Sequence, residues 1–202
     1  MTTPSQPTAL LILAGPAGVG KSTLCDRLVR EEPGFERVIT ATTRPPRPNE
    51  THGQDYHFLS EAEFDRRLAA GEFLEWAWVH RKHRYGTLKS AVLDRLPHTS
   101  LVMNIDVQGV RSIRAAALEL PALRGRVVTI FVAPDSMAVL RERLEGRGPV
   151  SPEELERRLQ SAERELAERA SYDYLIHSGT KEQDFESLLG YWRTARQKLT
   201  AS

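Results

Sequence analysis

The stretch GPAGVGKS at residues 15–22 constrains the fold of this chain more than any other segment. It matches the pattern GxxxxGK followed by Ser or Thr, which surrounds nucleotide phosphates with backbone N–H groups. The apolar run ALLILAG leads into it, and Leu24 and Leu28 follow one helical turn apart. This order predicts a buried strand, a phosphate-binding loop (the P-loop) and a helix whose N-terminus attracts anions. The alternative, a chance glycine-rich turn, is disfavoured because both motif and context agree.

The side chains of the P-loop have distinct expected roles. Lys21 is expected to reach the β- and γ-phosphates of a nucleotide, and the hydroxyl of Ser22 is expected to bind Mg²⁺. We therefore predict magnesium as the cofactor. The predicted nucleotide site consists of consecutive residues: Gly15, Pro16, Ala17, Gly18, Val19, Gly20, Lys21, Ser22 and Thr23.

Strands that alternate with helices follow the P-loop. The apolar runs SLVMNID (100–106) and RVVTIFV (126–132) each precede a helical pattern, and DYLI (173–176) precedes a closing helix over 181–199. A Ser-Pro pair at 151–152 marks the start of another helix. The alternation predicts an α/β fold with a parallel sheet flanked by helices on both faces. A length of 202 residues, 40% of them hydrophobic, is typical of one globular unit with an appended subdomain.

The segment from residue 38 to residue 95 has a different pattern. RVITATT, DYHFLS and EFLEWAWVH indicate extended segments around one short helix, SEAEFDRRLAAG. We expect a small inserted mixed α/β subdomain with antiparallel pairing. The predicted division is a P-loop core at 8–37, 96–140 and 154–202, the inserted subdomain at 38–95, and a helical lid at 141–153.

A nucleotide site alone does not identify a reaction, because GTPases, ATPase motors and small-molecule kinases share the P-loop. A GTPase would need the guanine-binding sequence NKxD, which this chain lacks, although DVQG at 106–109 imitates another GTPase motif. Arg44 and Arg47, set among prolines in TRPPRP, indicate a second anion site. That site favours a kinase whose acceptor itself carries a phosphate. The alternative is a solvated loop with ordinary arginines.

Charge and composition limit the expected partners. The formal net charge is +1, which favours no polyanion, so we expect no nucleic-acid partner. No apolar span reaches about 18 residues, so we expect no membrane association. The single cysteine, Cys25, excludes an internal disulfide and is typical of a reducing compartment, which predicts a cytoplasmic protein. The sequence does not distinguish between a monomer and a homodimer.

Seven motifs together suggest a family. GPAGVGKS, TATTRPPRP, GQDYHF, EFLEWA, YGT, IDVQG and RLEGRG occur in the order found in guanylate kinases and extend over most of the chain from Leu10 to Ile176. The chain therefore resembles that family. The resemblance implies transfer of the γ-phosphoryl group of ATP to GMP, and to dGMP, with Mg²⁺. It also implies a parallel-sheet core, a GMP-binding subdomain and a lid.

The resemblance assigns an acceptor site to the inserted subdomain and the IDVQG motif. The GMP phosphate would be held by Arg44, Arg47, Tyr56 and Tyr85, and guanine would be recognised by Thr40, Glu75, Thr87 and Asp106. The role of Glu75 has a physical reason, because guanine N1–H and its N2 amino group are adjacent donors that one carboxylate accepts together. Adenine presents an acceptor at N1 instead. An ordinary strand residue is the alternative for Glu75.

Two arginines of the motif RLEGRG are one helical turn apart, with glycines beside the second. By resemblance they belong to the lid and neutralise charge on the transferring phosphoryl group, together with an arginine of the next helix. The implied catalytic residues are Lys21, Arg44, Arg143, Arg147 and Arg158. The alternative is a solvated charged face, since several glutamates lie nearby.

The chain departs from the family pattern at three places. Asn104 stands where an acidic residue is usual, HRKHRYGT is longer and more basic than the usual approach to YGT, and HSGT at 177–180 replaces an asparagine followed by acidic residues. Two other functions stay open: a guanylate-kinase-like binding module without catalysis, and a kinase for another phosphorylated acceptor. Lys21 and Ser22 favour an enzyme, and Glu75 favours a guanine acceptor.

Overall fold

A computed structural model describes residues 7–79, 82–146 and 150–200 of the chain. Within these ranges the strands are β1 (Leu10–Ala14), β2 (Phe35–Arg37), β3 (Ala41–Thr42), β4 (His57–Phe58), β5 (Phe73–Val79), β6 (His83–Leu88), β7 (Ser100–Asn104), β8 (Val127–Ala133) and β9 (Tyr174–His177). The α-helices are α1 (Lys21–Glu31), α2 (Glu61–Ala69), α3 (Lys89–Leu93), α4 (Val107–Glu119), α5 (Met137–Glu145), α6 (Pro152–Ala167) and α7 (Lys181–Thr200).

Five strands form a central parallel sheet in the order β2-β7-β1-β8-β9. Every residue of β1 is buried, as expected for a strand covered on both faces. Because the strands are parallel, the carboxyl ends of β1, β2 and β7 meet at one edge of the sheet. The P-loop follows β1 at this edge, and Asp106 follows β7. The predicted α/β fold with a helix-flanked parallel sheet is confirmed.

Alternation along the strands divides the core into two layers. Leu11 and Leu13 of β1 face a layer built with α1, α5, α6 and α7, and Cys25 is buried there as a free thiol. Leu10 and Ile12 face the opposite layer, which includes side chains of α3 and α4. The sheet is therefore packed on both faces, which fixes its edge as a rigid platform for the loops that follow β1 and β7.

A second sheet has the order β4-β3-β6-β5 and belongs to the segment predicted as an insert. β3–β6 and β5–β6 are antiparallel as predicted, but β3 and β4 pair in parallel, so the expectation of purely antiparallel pairing is wrong. Residues 43–56 form a long excursion between these strands, which allows the parallel return that a tight hairpin cannot make. Phe64 of α2 stacks on Phe73, with ring centroids 4.4 Å apart, and closes a small separate core.

The start of α6 follows the predicted capping chemistry, and a second side-chain cap starts α4. Ser151 accepts a hydrogen bond from the Glu154 N–H at 3.2 Å and precedes Pro152, so α6 begins where the sequence predicts. Asp106 caps α4 by accepting from the Gly109 N–H at 2.8 Å. Among the described residues, no helix has both the length and the apolar character that a membrane crossing requires.

Candidate active site

The P-loop owes its shape to glycines at two positions. Gly15 has φ +130°, and a Cβ atom there would lie 2.2 Å from the carbonyl oxygen of Val132, so only glycine is accommodated. Gly20 has φ +97° and caps α1 without a side-chain hydrogen bond, and the first turn of α1 holds no acidic residue. The positive end of the helix therefore points into the loop without a neighbouring carboxylate on that turn.

Lys21 folds back over the P-loop. Its Nζ donates to the carbonyl oxygens of Gly15 at 2.5 Å and of Pro16 at 2.8 Å. The ammonium group is thus held at the opening of the loop, where the sequence predicts nucleotide phosphates. Ser22 and Thr23 are exposed on the first turn of α1.

A cleft of about 340 Å³ joins the P-loop to the second sheet. Seven predicted site residues from the P-loop and the inserted segment line it together: Gly15, Ala17, Lys21, Thr40, Tyr56, Glu75 and Tyr85. Asp106 at the start of α4 and Arg158 of α6 complete the same wall. Residues far apart in sequence, assigned to phosphate transfer on one hand and to guanine on the other, therefore share one cavity.

A second cavity of about 630 Å³ lies on the other side of the P-loop. Gly20, Thr23 and Arg143 line it, together with Ser178. Nη1 of Arg143 donates to Ser178 Oγ at 3.2 Å, and Ser178 Oγ donates to Asp184 at 2.9 Å. The structure thus places Arg143 and Arg158 at different cavities.

Glu75 lies at the bottom of the first cleft and is only 7% exposed. Thr87, its partner across β5 and β6, donates from Oγ1 to Glu75 Oε1 at 2.6 Å. Burial raises the pKa of Glu75 to about 7; the Thr87 hydrogen bond opposes this rise, and the nearby charge of Asp106 adds to it. A buried carboxylate whose pKa lies near neutrality is poised to respond to donors from a ligand.

Arg44 is fixed by a carboxylate that the sequence patterns did not single out. Its Nη2 donates to Glu50 Oε1 at 2.8 Å and its Nε donates to the Tyr85 hydroxyl at 3.1 Å. The side chain of Arg44 is 12% exposed, and Glu50 also accepts from the Arg47 N–H at 2.8 Å. This pairing holds the pKa of Glu50 below its usual range. Glu50 thus ties Arg44 and Arg47, the two ends of RPPR, to one carboxylate.

Arg47 differs from Arg44 in exposure. Its side chain is 74% exposed and lies 3.9 Å from Glu50. Tyr56 is partly buried against Tyr85, with ring centroids 5.8 Å apart, and burial raises the pKa of the Tyr56 hydroxyl. The two tyrosines line the first cleft. Arg44 lies behind them and Arg47 lies farther out in solvent.

The inner face of α6 contributes polar groups to the first cleft. Arg158, Ser161 and Glu165 recur on one helical face and all line the cavity. Arg158 is held by Glu154, whose Oε1 accepts from Nε at 2.9 Å. Burial raises the pKa of Glu165, while the charge of Lys21 lowers it. No sequence motif marks Glu165, although its spacing of seven from Arg158 indicates the same face of the helix. Arg147 lies outside the described residues.

The residues present are compatible with a magnesium ion bound chiefly through nucleotide phosphates. Magnesium keeps several water ligands and takes only one or two protein ligands. Ser22 offers a hydroxyl at the start of α1, and Asp106 offers a carboxylate in the adjoining cleft. Within the described ranges no group of three or more His, Cys, Asp or Glu side chains is arranged for a metal, and such a magnesium site needs none.

Comparisons with known proteins agree on one family. A family model described as Guanylate kinase matches residues 7–192. Guanylate kinase from Symbiobacterium thermophilum is 42% identical over 175 residues, covering 86% of this chain and 79% of that protein. Guanylate kinase from Thermobifida fusca is 41% identical over 185 residues, covering 91% and 90%. The crystal structure of guanylate kinase from Anaplasma phagocytophilum superimposes with a TM-score of 0.73 at 26% identity, covering 95% of this chain and 88% of that one.

Proposed function

This chain belongs to the guanylate kinase family, and we propose that the γ-phosphoryl group of ATP passes to GMP in its first cleft, giving ADP and GDP. The observation that supports this location is the shared wall of the cavity. Lys21 of the P-loop and Glu75 of the second sheet both line it. A phosphate-binding cation and a buried carboxylate acceptor are thus within reach of one small nucleotide.

The donor nucleotide is assigned to the P-loop and the second cavity. The backbone N–H groups of residues 15–23 and the N-terminus of α1 would surround the phosphates of ATP. Lys21 would exchange its carbonyl partners for phosphate oxygens. The adenosine would then lie toward Thr23 and Ser178, in the cavity that Arg143 also lines. Ser178 is thus proposed to contact the adenosine, although its segment HSGT departs from the family pattern.

The acceptor phosphate is assigned to Arg44, Arg47, Tyr56 and Tyr85. Support comes from the Arg44–Tyr85 hydrogen bond and from Glu50, which restricts Arg44 before any ligand arrives. Restricting a guanidinium in advance reduces the entropy lost when it binds phosphate. Arg47 is exposed and is therefore free to turn toward the phosphate when GMP enters.

The guanine base is assigned to Glu75, Thr87, Asp106 and Thr40. The carboxylate of Glu75 would accept guanine N1–H and the N2 amino group, and Thr87 orients it. Asp106, on the same wall, would accept a further amino hydrogen. The hydroxyl of Thr40 would donate to O6 of guanine. Adenine would leave these buried acceptors unpaired, which is the physical basis for rejecting AMP.

Phosphoryl transfer would take place between these two nucleotides, beside Lys21. When bound, magnesium would supply neutralisation of the negative charge on the ATP phosphates. Ser22 is the protein residue assigned to hold it. Arg158 faces the same cleft, and Arg143 borders the donor cavity, so their guanidinium groups would stabilise charge on the transferring group from two directions. Arg147 is proposed for the same role by resemblance.

The remaining assignments follow from this reaction. We keep the division into a core at 8–37, 96–140 and 154–202, an acceptor subdomain at 38–95 and a lid at 141–153 as a proposal. We place the protein in the cytoplasm as a monomer or homodimer, since both substrates are intracellular nucleotides. Neither nucleic acid nor membrane has a place in this scheme.

The test is a coupled assay of ADP release with ATP, Mg²⁺ and each of GMP, dGMP, AMP, UMP and CMP. We expect GMP to be the preferred acceptor, followed by dGMP, with stoichiometric GDP formation. The matched control is Lys21→Ala, which should bind GMP and release no ADP. A chain that binds GMP but releases no ADP even with Lys21 intact would be a binding module instead. Preference for a non-guanine acceptor would indicate the other open alternative.

A further inference from the structure

Arg37 brings a further guanidinium group to the edge of the sheet where the P-loop lies. It is the last residue of β2, and its side chain reaches between α1 and β7. Nη2 donates to Asn104 Oδ1 at 2.7 Å, and Nη1 donates to the carbonyl oxygen of Ser22 at 3.3 Å and to Asp26. Three contacts, two with α1 and one with β7, therefore hold this guanidinium beside the first turns of the P-loop helix.

Two of the five N–H groups of the Arg37 guanidinium take no part in these contacts. Nη1 uses both of its hydrogens and Nη2 uses one, while Nε and the second Nη2 hydrogen have no acceptor in the part of the chain that the structure describes. The side chain of Arg37 is 26% exposed, so part of it is accessible to solvent. An oriented fork with unused donors is suited to a phosphate oxygen.

Asn104 orients this guanidinium without neutralising it. An amide oxygen accepts the hydrogen bond as a carboxylate would, but it brings no negative charge. The carboxylate of Asp26 does pair with Arg37, but its side chain is 60% exposed and the pair is screened by solvent. Asn104 itself lines the first cleft, between the P-loop and Asp106. A residual positive charge is therefore held directly behind the cleft wall.

The direction of this charge is toward the acceptor side. Asn104 borders the cavity that holds Tyr56 and Glu75, and does not border the donor-side cavity. The positive charges of Arg44 and Arg37 both counteract the burial that raises the pKa of the Tyr56 hydroxyl. The charge of Arg37 is therefore close enough to influence the same tyrosine as Arg44, the arginine assigned to the acceptor phosphate.

We propose that Arg37, oriented by Asn104, is a third arginine for the phosphate of the acceptor nucleotide, on the side that faces the P-loop helix. This inference rests on the proposed function, because it assumes that GMP occupies the first cleft. It adds a pair, Arg37 and Asn104, that would favour phosphorylated over unphosphorylated acceptors and that is absent from the assignments made by resemblance. The pair gives the chain's Asn104 a role: a carboxylate there would neutralise the guanidinium that the phosphate needs.

The experiment compares GMP with guanosine, which carries the same base without the phosphate, by calorimetric titration of ATP-free protein. Arg37→Met should weaken GMP binding by about ten- to a hundredfold, the loss expected for one charge-assisted contact, and leave guanosine within about twofold. Arg37→Lys should lose less, because it keeps the charge. The matched control is Arg95→Met, which removes an arginine whose side-chain hydrogen bonds go to Glu36 and the Arg37 carbonyl oxygen, whereas Arg37 bonds Asn104 of the cleft wall.

Each outcome decides the matter. Equal losses for GMP and guanosine, or no loss for either, would overturn the proposal and leave Arg37 as a structural tie between α1 and β7. A larger loss for ATP than for GMP would also overturn it. If Arg37→Met does not fold, Asn104→Ala must still weaken GMP selectively, and an unchanged GMP affinity contradicts the proposal. Wild-type protein that binds GMP no better than guanosine would instead count against the proposed function itself.

Discussion

Replacing Glu75 by glutamine tests how the cleft recognises its base, and the structure predicts the orientation of the new amide. Thr87 Oγ1 donates to Glu75 Oε1 at 2.6 Å, so the amide oxygen of the glutamine should take this position and keep that hydrogen bond. The amide nitrogen then replaces Oε2, which lies against Gly109 at the start of α4. An NH₂ donor would therefore face the guanine donors that the carboxylate is proposed to accept in the wild type.

The size of the effect follows from the burial of this group. Glu75 is 7% exposed, so a lost partner is not replaced by water. Removing one hydrogen bond to a charged acceptor costs about 1.5 to 3 kcal/mol, and an unpaired buried donor adds about 1 kcal/mol or more. The total of about 3 kcal/mol corresponds to a loss of about two orders of magnitude in kcat/KM for GMP. AMP should change little, because adenine N1 accepts from the new amide.

The assay measures kcat/KM for GMP and AMP in one preparation near pH 8, where Glu75 is ionised in the wild type. The ratio of the two values should fall by about a hundredfold. Glu72→Gln is the matched control, since this carboxylate pairs with Arg67 outside the cleft and its replacement should leave the ratio unchanged. Misfolding would lower both rates together. An unchanged ratio in Glu75→Gln would refute the role of Glu75 in recognising guanine.

Three further predictions concern the phosphates and the protonation of the cleft. Lys21→Ala should abolish turnover while titrated GMP affinity stays within a few-fold of wild type; turnover near the parent rate would contradict its role. Arg44→Ala and Arg47→Ala should raise KM for GMP about ten- to a hundredfold and KM for ATP far less. The larger effect should occur at Arg44, which is more buried. Effects on the KM for ATP alone would contradict the assignment of these arginines to the acceptor phosphate. GMP affinity should rise as the pH increases through about 7, because burial favours the protonated form of Glu75 and the carboxyl must lose its proton before it can accept the guanine donors. The pH dependence that comes from Glu75 should be absent in Glu75→Gln. A pH-independent affinity in the wild type would contradict that link.

The features that the sequence predicted are those whose signal is local. GPAGVGKS determines its own loop, and the Ser-Pro pair at 151–152 determines the start of α6, because glycine conformation and helix capping depend on adjacent residues. The parallel core was predictable for a similar reason, since apolar runs alternate with helical patterns. β3 and β4 have two residues each, too few to show a period, and their parallel pairing therefore could not be predicted.

The contacts that were missed join residues far apart in the chain. Arg37 and Asn104 are 67 positions apart and meet only because β2 and β7 are neighbours in the sheet. Glu165 reaches the cleft because α6 packs with its polar face toward Lys21. Glu50 is close to Arg44 in sequence, but its two hydrogen bonds depend on how a proline-rich loop folds back. Such contacts can be found only from the tertiary structure. Lys21 and Glu75, in contrast, could be identified from short sequence motifs.

A compound that joins adenosine and guanosine through a chain of five phosphates could occupy the donor and acceptor sites together, and its affinity can be measured by calorimetric titration. We expect ATP and GMP to bind at the same time, in two cavities that P-loop residues border from either side: Lys21 borders the first and Gly20 the second. A compound that occupies both cavities should bind on the order of a hundredfold more tightly than ATP or GMP alone, because its second contact is intramolecular. Lys21→Ala and Glu75→Gln should each reduce that advantage. An affinity no higher than that of the better single nucleotide would contradict the claim that the two cavities form one reaction site.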